Sequence, residues 1–290
     1  MTRDKRIVIL LVALGVVVLA GLGYYLYSEM KGEPEELLEA RKDTPGETAP
    51  SEQRQAVPEV EKETLDSLFK EETNPDGTYT ETYCAQIEEG LVDFFSYLDE
   101  QRYVKHLDSG KNSYNRFKKI IKVMSAEPPI PAGEGIDPRI IVRNIFFFFR
   151  ILDRKDLRLI KDVVVNEQAG MEFNLNLFYR WLTLGHRCPD PEARRPSMKV
   201  IYQYAGYFLN TIGGRAYLFR RSERVRLLVT YYCLLIVNEA DKLGKNDYGI
   251  DIVPFIEPLK REIGYYPKFE FQGEYIDQLN EMDDYYLQKR

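Results

Sequence analysis

The alternation of apolar and polar positions divides the chain into three stretches of different character. Ile7 to Tyr27 is a run of 21 residues without a charged side chain, and thirteen of them are Leu, Ile or Val. As a helix rising 1.5 Å per residue it is about 31 Å long, matching a bilayer hydrocarbon core of about 30 Å. At about −0.4 kcal/mol each, those thirteen side chains favour insertion by about 5 kcal/mol. Tyr24, Tyr25 and Tyr27 fall at the far end, where amphipathic rings prefer the headgroup layer. The pattern predicts a single transmembrane helix over 7–27. A cleaved signal peptide is the competing reading, with Gly21-Leu22-Gly23 as its cleavage site. It fits less well, because the apolar run continues past that site and exceeds the usual h-region of about 7–15 residues.

The second stretch has no apolar periodicity. Residues 28–62 contain no aromatic side chain, four prolines, ten acids and five bases. Such a segment cannot bury enough apolar surface to offset its chain entropy, so a disordered acidic linker is expected over 28–68. About 35 residues of coil span about 30–35 Å on average.

Helical spacing begins with the third stretch, 69–290. Ile87, Leu91, Phe94, Phe95 and Leu98 recur at intervals of three and four, as do Phe117, Ile120, Ile121 and Met124. Asp137-Pro138 reads as an N-cap followed by proline at the first helical position. Ile140–Leu152, with four consecutive phenylalanines at 146–149, is expected to be mostly buried. Ser222 starts the longest helix, which ends near Gly244. Its eleven-residue uncharged centre, Leu227 to Val237, is too short to span a bilayer and predicts a core helix instead. Residues 207–221, with Gly213-Gly214 in the middle, read either as a helix ending at the glycines or as a short β-hairpin; the helix is favoured. The fold expected for 69–290 is one all-α, multi-helix globular domain.

Charge sets the orientation. Arg3, Lys5 and Arg6 precede the apolar run and mainly acidic residues follow it. The positive-inside rule therefore places residues 1–6 in the cytoplasm and the helical domain beyond the inner (plasma) membrane, in a periplasmic or other extracytoplasmic space. No Asn-x-Ser/Thr acceptor occurs in 69–290, which favours a bacterial envelope. A net charge of −6 argues against nucleic acid as a partner.

The candidate chemistry is sparse. Two histidines and three cysteines give no ligand spacing for a metal, and no cofactor is implied. His186 and Cys188 as base and nucleophile lack a third member, and a surface loop is the plainer reading. Cys84 and Cys188 are a candidate disulfide; closing a 104-residue loop is worth at most about 4.7 kcal/mol by chain entropy. Arg187, Arg194, Arg195, Arg215, Arg220, Arg221, Arg224 and Arg226 form the densest basic cluster. They are the candidate binding residues, for an anionic lipid, an acidic partner segment or the chain's own linker, because arginine captures carboxylates and phosphates in a bidentate grip. Solvated pairs with residues such as Glu223 are the plain alternative. No nucleophile elbow, His-Glu-x-x-His or phosphate loop is present, so no catalytic residue is assigned. The function expected is a structural or accessory subunit of a cell-envelope assembly, anchored by 7–27 and binding a protein partner through its helical domain. The alternatives are a periplasmic glycan-acting enzyme, using a carboxylate such as Glu167 or Glu172, and a small-ligand-binding domain.

Overall fold

The computed structural model describes residues 64–106, 112–131, 137–189, 195–210, 222–266 and 269–289. All of them belong to one compact unit, Glu61–Arg290. The expected anchor at 7–27 and most of the linker lie outside the described residues. So does 211–221, which held most of the hairpin alternative. Residues 207–210 belong to a helix, and no strand occurs among the described residues, only an isolated bridge between Thr73 and Tyr79. The described part is all-helical.

Twelve α-helices are described: α1 (Leu65–Leu68), α2 (Glu81–Glu100), α3 (Arg102–Lys105), α4 (Ser113–Ala126), α5 (Pro138–Ile145), α6 (Phe147–Ile151), α7 (Arg154–Asn166), α8 (Met171–Thr183), α9 (Met198–Asn210), α10 (Glu223–Lys242), α11 (Val253–Tyr265) and α12 (Gln272–Lys289). Their starts follow from capping. The side chains of Thr80, Asn112, Asp137, Asp153 and Ser222 each accept a first-turn N–H of α2, α4, α5, α7 and α10. Leu65 is buried, and its N–H donates to the Glu274 carboxylate on α12 at 3.0 Å. The folded unit therefore begins before Phe69, because the end of the expected linker packs on the last helix.

Helix α10 is the axis of the main core. Leu227, Leu228, Leu234 and Val237 are buried on it, and α9, α11 and α12 pack around them through Ile201, Ile256, Leu259, Tyr275 and Leu279. The uncharged centre of α10 is thus covered by protein. No helix among the described residues is long and apolar enough to cross a membrane. A second cluster joins α2 to α8: Ile87, Leu91, Phe95 and Leu98 meet Leu177 and Trp181. The predicted register of α2 places all five of its apolar positions inside. A third, smaller cluster holds α4, α6, α7 and α9 together through Ile120, Phe147, Phe148, Leu157, Tyr204 and Tyr207.

Gly206 on α9 marks the closest approach between elements. A Cβ there would stand 2.3 Å from Cδ1 of Ile250 and 2.9 Å from Cβ of Pro131. The isoleucine tip can turn aside, but the proline ring cannot. Gly206→Ala is expected to destabilise the domain by about 1–3 kcal/mol, seen as a lower urea midpoint with an unchanged slope.

Candidate functional site

The most unusual surface of the domain lies on α5 and α6. Asp137 caps α5 by accepting from the Arg139 N–H at 2.8 Å, and Pro138 sits in the first turn. The helix then breaks at Phe146, whose φ of −97° and ψ of 14° are not helical. Asn144 explains the break. Its side-chain amide donates to the Ile130 carbonyl at 2.7 Å, and its own carbonyl accepts from the Tyr207 hydroxyl at 3.0 Å. A hydroxyl inserted at that carbonyl interrupts the helical ladder. Beyond the break, Phe147 and Phe148 point inward and are buried.

The expectation that this run is mostly buried is corrected here. Val142, Ile145, Phe146 and Phe149 are 56%, 44%, 45% and 47% exposed. Val142 and Ile145 lie on α5, Phe146 at the bend and Phe149 on α6, all within eight positions of the chain. Three arginines flank them. Arg139 pairs with Asp137 at 3.5 Å, whereas Arg143 and Arg150 share the single carboxylate of Glu127 at 3.9 and 2.8 Å. Among the described residues, three cations thus meet two anions. Contiguous exposed apolar surface with a polar rim marks interaction sites on soluble domains.

Four of the arginines singled out by sequence lie among the described residues, and each has partners of its own. Arg224 is largely buried in an ion pair with Glu172 of α8. Arg226 contacts Glu262 at 2.5 Å and Glu223 at 3.5 Å. Arg187 donates to the Tyr79 hydroxyl at 2.8 Å and to the Gly77 carbonyl at 3.1 Å, and it stacks 3.7 Å from the Tyr79 ring centre. Burial pushes the Tyr79 phenol up to about 12 despite that cation. Arg195 donates to the Pro189 carbonyl at 2.6 Å. These four are committed to the fold. Arg194, Arg215, Arg220 and Arg221 lie outside the described residues. Arg139, Arg143 and Arg150 were missed because sequence density drew attention elsewhere; their helical spacing beside Val142, Ile145, Phe146 and Phe149 was the available signal.

The sulfur chemistry is also committed. Cys84 at the start of α2 is bonded to Cys188, with Cα atoms 5.8 Å apart, so Cys188 is not a free nucleophile. Cys233 on α10 is buried and takes no part in a disulfide. No group of three or more His, Cys, Asp or Glu that could hold a metal occurs among the described residues.

Two cavities lie elsewhere. One, of about 200 Å³, is almost wholly apolar and lies between α4, α8, α9 and α10, against Met124, Phe178, Tyr204 and Cys233. The other, of about 450 Å³, is polar and is bordered by α1, α8, α10 and α12. Arg180 forms its buried wall, donating to Asn176 at 2.8 Å and to the Tyr83 hydroxyl at 3.2 Å, with Glu71 at 3.4 Å. Glu167 and Glu172 line neither cavity. Glu167 instead accepts from the hydroxyls of Tyr97 at 3.0 Å and Tyr103 at 2.5 Å. Glu172 accepts from Arg224, two backbone N–H groups and Tyr275. No protein-family model, curated protein or solved structure matches the chain.

Proposed function

We propose that the protein is a single-pass membrane protein whose helical domain, held outside the cytoplasm by an acidic tether, works as a non-enzymatic accessory subunit of a cell-envelope assembly. The observation that carries this reading is the exposure of Val142, Ile145, Phe146 and Phe149 beside arginines, four of the twelve large apolar side chains exposed among the described residues and all within eight positions of the chain. The Cys84–Cys188 bridge supports the location, since such bridges persist in oxidising compartments. The two carboxylates considered for the glycan-enzyme alternative do not favour it, because neither lines the cavities described and both accept from structural donors.

The test has two parts. In spheroplasts carrying a C-terminally tagged chain, external protease should remove the tag without lysis; a protected tag places the domain in the cytoplasm and overturns the location. Extraction in mild detergent followed by native sizing should show a stoichiometric complex, and a lone monomer overturns the subunit role.

A small-ligand-binding role is the second reading, favoured by the polar cavity. Its volume of about 450 Å³ falls within the range of about 300–1,000 Å³ typical of ligand sites, and it offers a buried guanidinium. Arg180→Met should abolish any ligand-induced rise in melting temperature.

A further inference from the structure

The α5–α6 face has a chemistry that selects among partners. Its apolar members are two aromatic and two β-branched side chains on α5, α6 and the bend between them, and its flanking groups are Arg139, Arg143 and Arg150 with the carboxylates of Asp137 and Glu127 that pair with them. Around it the charge of the chain inverts. Residues 113–166, which span α4 to α7, carry eleven Lys or Arg against six Asp or Glu, a net of +5 in a chain whose total is −6. Exposed Val, Ile and Phe side chains bordered by arginine, on two short helices that meet at the bend at Phe146, are suited to the plane of a lipid interface, with rings at the acyl boundary and guanidinium groups among phosphates.

We infer that the partner of this face is the anionic bilayer in which the chain's own 7–27 helix sits, so that the domain lies docked on the membrane rather than held away from it. The inference rests on the membrane-anchored reading above and deepens that part of it: the bilayer, and not a protein subunit, is what this face meets, so the face then supports the membrane location and not the subunit role. A tether of about 35 residues has a mean span of about 30–35 Å, which keeps the domain at high effective concentration over the surface. Weak contacts then suffice for docking. Basic residues near an anionic surface each add attraction that salt screens. The acidic tether is the competing occupant within the chain, but residues 28–62 hold no aromatic side chain to cover Phe146 and Phe149.

A single reporter can follow this docking in the full chain. Cys84 and Cys188 are bonded and Cys233 is buried, so Val142→Cys offers one reactive thiol for an environment-sensitive dye. Leu287→Cys, on the exposed end of α12, is the control position. The labelled chain is reconstituted into phosphatidylcholine vesicles, with or without phosphatidylglycerol, that contain a nitroxide lipid. Quenching at 142 should be several-fold stronger with phosphatidylglycerol, should fall as salt rises, and should not occur at 287. Replacing Arg139, Arg143 and Arg150 with Gln should lower the docked-to-free ratio by about a hundredfold, since each of the three surface charges counts for about a fivefold change. Ile145→Ser with Phe146→Ser should remove the quenching while the chain remains in the vesicle; unchanged far-ultraviolet dichroism keeps that result interpretable.

Quenching absent at 142, or equal with and without phosphatidylglycerol, overturns the docking. So does shielding of the dye from aqueous iodide without lipid quenching, which assigns the face to the tether, a second copy or a protein. Vesicle flotation at alkaline pH separates the two layers. A chain that floats with both lipids but is not quenched retains its anchor and loses the docking. One that floats only with phosphatidylglycerol, and only at low salt, loses the anchor and keeps the docking. A chain that floats with neither loses both.

Discussion

Glu172→Gln is expected to lower the stability of the helical domain by about 3–5 kcal/mol, the usual cost of leaving one member of a buried ion pair without its counter-charge. Glu172 sits in the first turn of α8 and is among the most deeply buried charged residues of the domain. Its carboxylate gathers donors from three other parts of the fold. Arg224 of α10 contributes a charged pair, the N–H groups of Glu270 and Phe271 donate at 3.1 and 3.2 Å, and the Tyr275 hydroxyl of α12 donates at 3.1 Å. Burial, reinforced by neighbouring phenols and this carboxylate, drives the Tyr275 phenol far above its ordinary range, so it is a donor at every working pH. The glutamine amide keeps one acceptor oxygen but presents two donors to groups that are already donors. It also leaves the Arg224 guanidinium, 5.7 Å from the Phe269 ring centre, with no anion beside it. For a domain of this size the expected loss corresponds to a fall of about 10 °C in melting temperature. Thermal unfolding followed by dichroism measures it, and a fall under about 2 °C would sink the account. A second variant makes the test sharper. With Arg224→Met added, both charges are gone and much of the loss should return, because an apolar replacement of a whole buried pair is often close to neutral.

The same residues show what the sequence could and could not disclose. Local spacing located the helices: the five apolar positions on α2 are all buried, Asp137 and Pro138 open α5 as expected, and the uncharged stretch of α10 is the centre of the main core. These readings succeed because amphipathic period and capping are properties of neighbours in the chain. The phenylalanine run misled because its break depends on a distant residue. Only the Tyr207 hydroxyl at the Asn144 carbonyl, 63 positions away in sequence, shows that Phe147 and Phe148 turn inward while Phe146 and Phe149 do not. The partners of the described arginines were hidden for a related reason. Proximity in sequence said nothing of partners, and Arg224 finds its carboxylate 52 residues upstream on another helix. Meanwhile Arg139, Arg143 and Arg150 flank an apolar face whose exposure no window of residues could reveal.

Reduction of the Cys84–Cys188 bridge is expected to have an effect of similar size, by a different route. The bridge joins the first turn of α2 to the segment after α8 across 104 residues. In the chain-entropy view a closed loop of about 100 residues is worth up to about 4.7 kcal/mol, acting on the unfolded chain rather than on native contacts. The contacts near the bridge are indeed independent of it. The Tyr79 N–H donates to the Arg187 carbonyl at 3.0 Å, Arg187 holds the Tyr79 ring and hydroxyl, and Gly90 of α2 packs against Leu177 of α8. The variant Cys84→Ala with Cys188→Ala should therefore keep its dichroism spectrum yet lose about 2–5 kcal/mol. Because the native contacts remain, unfolding should quicken little and refolding should slow most, the partition expected when a constraint acts mainly on the unfolded state. Dithiothreitol should bring the natural chain to the midpoint of the double variant and leave the variant itself unmoved, since Cys233 has no disulfide to lose. Equal midpoints with and without reductant would show that the bridge carries no stability. If refolding is instead unchanged and unfolding is faster by the full amount, the bridge acts on the native contacts between α2 and α8, and the account through the unfolded chain is wrong.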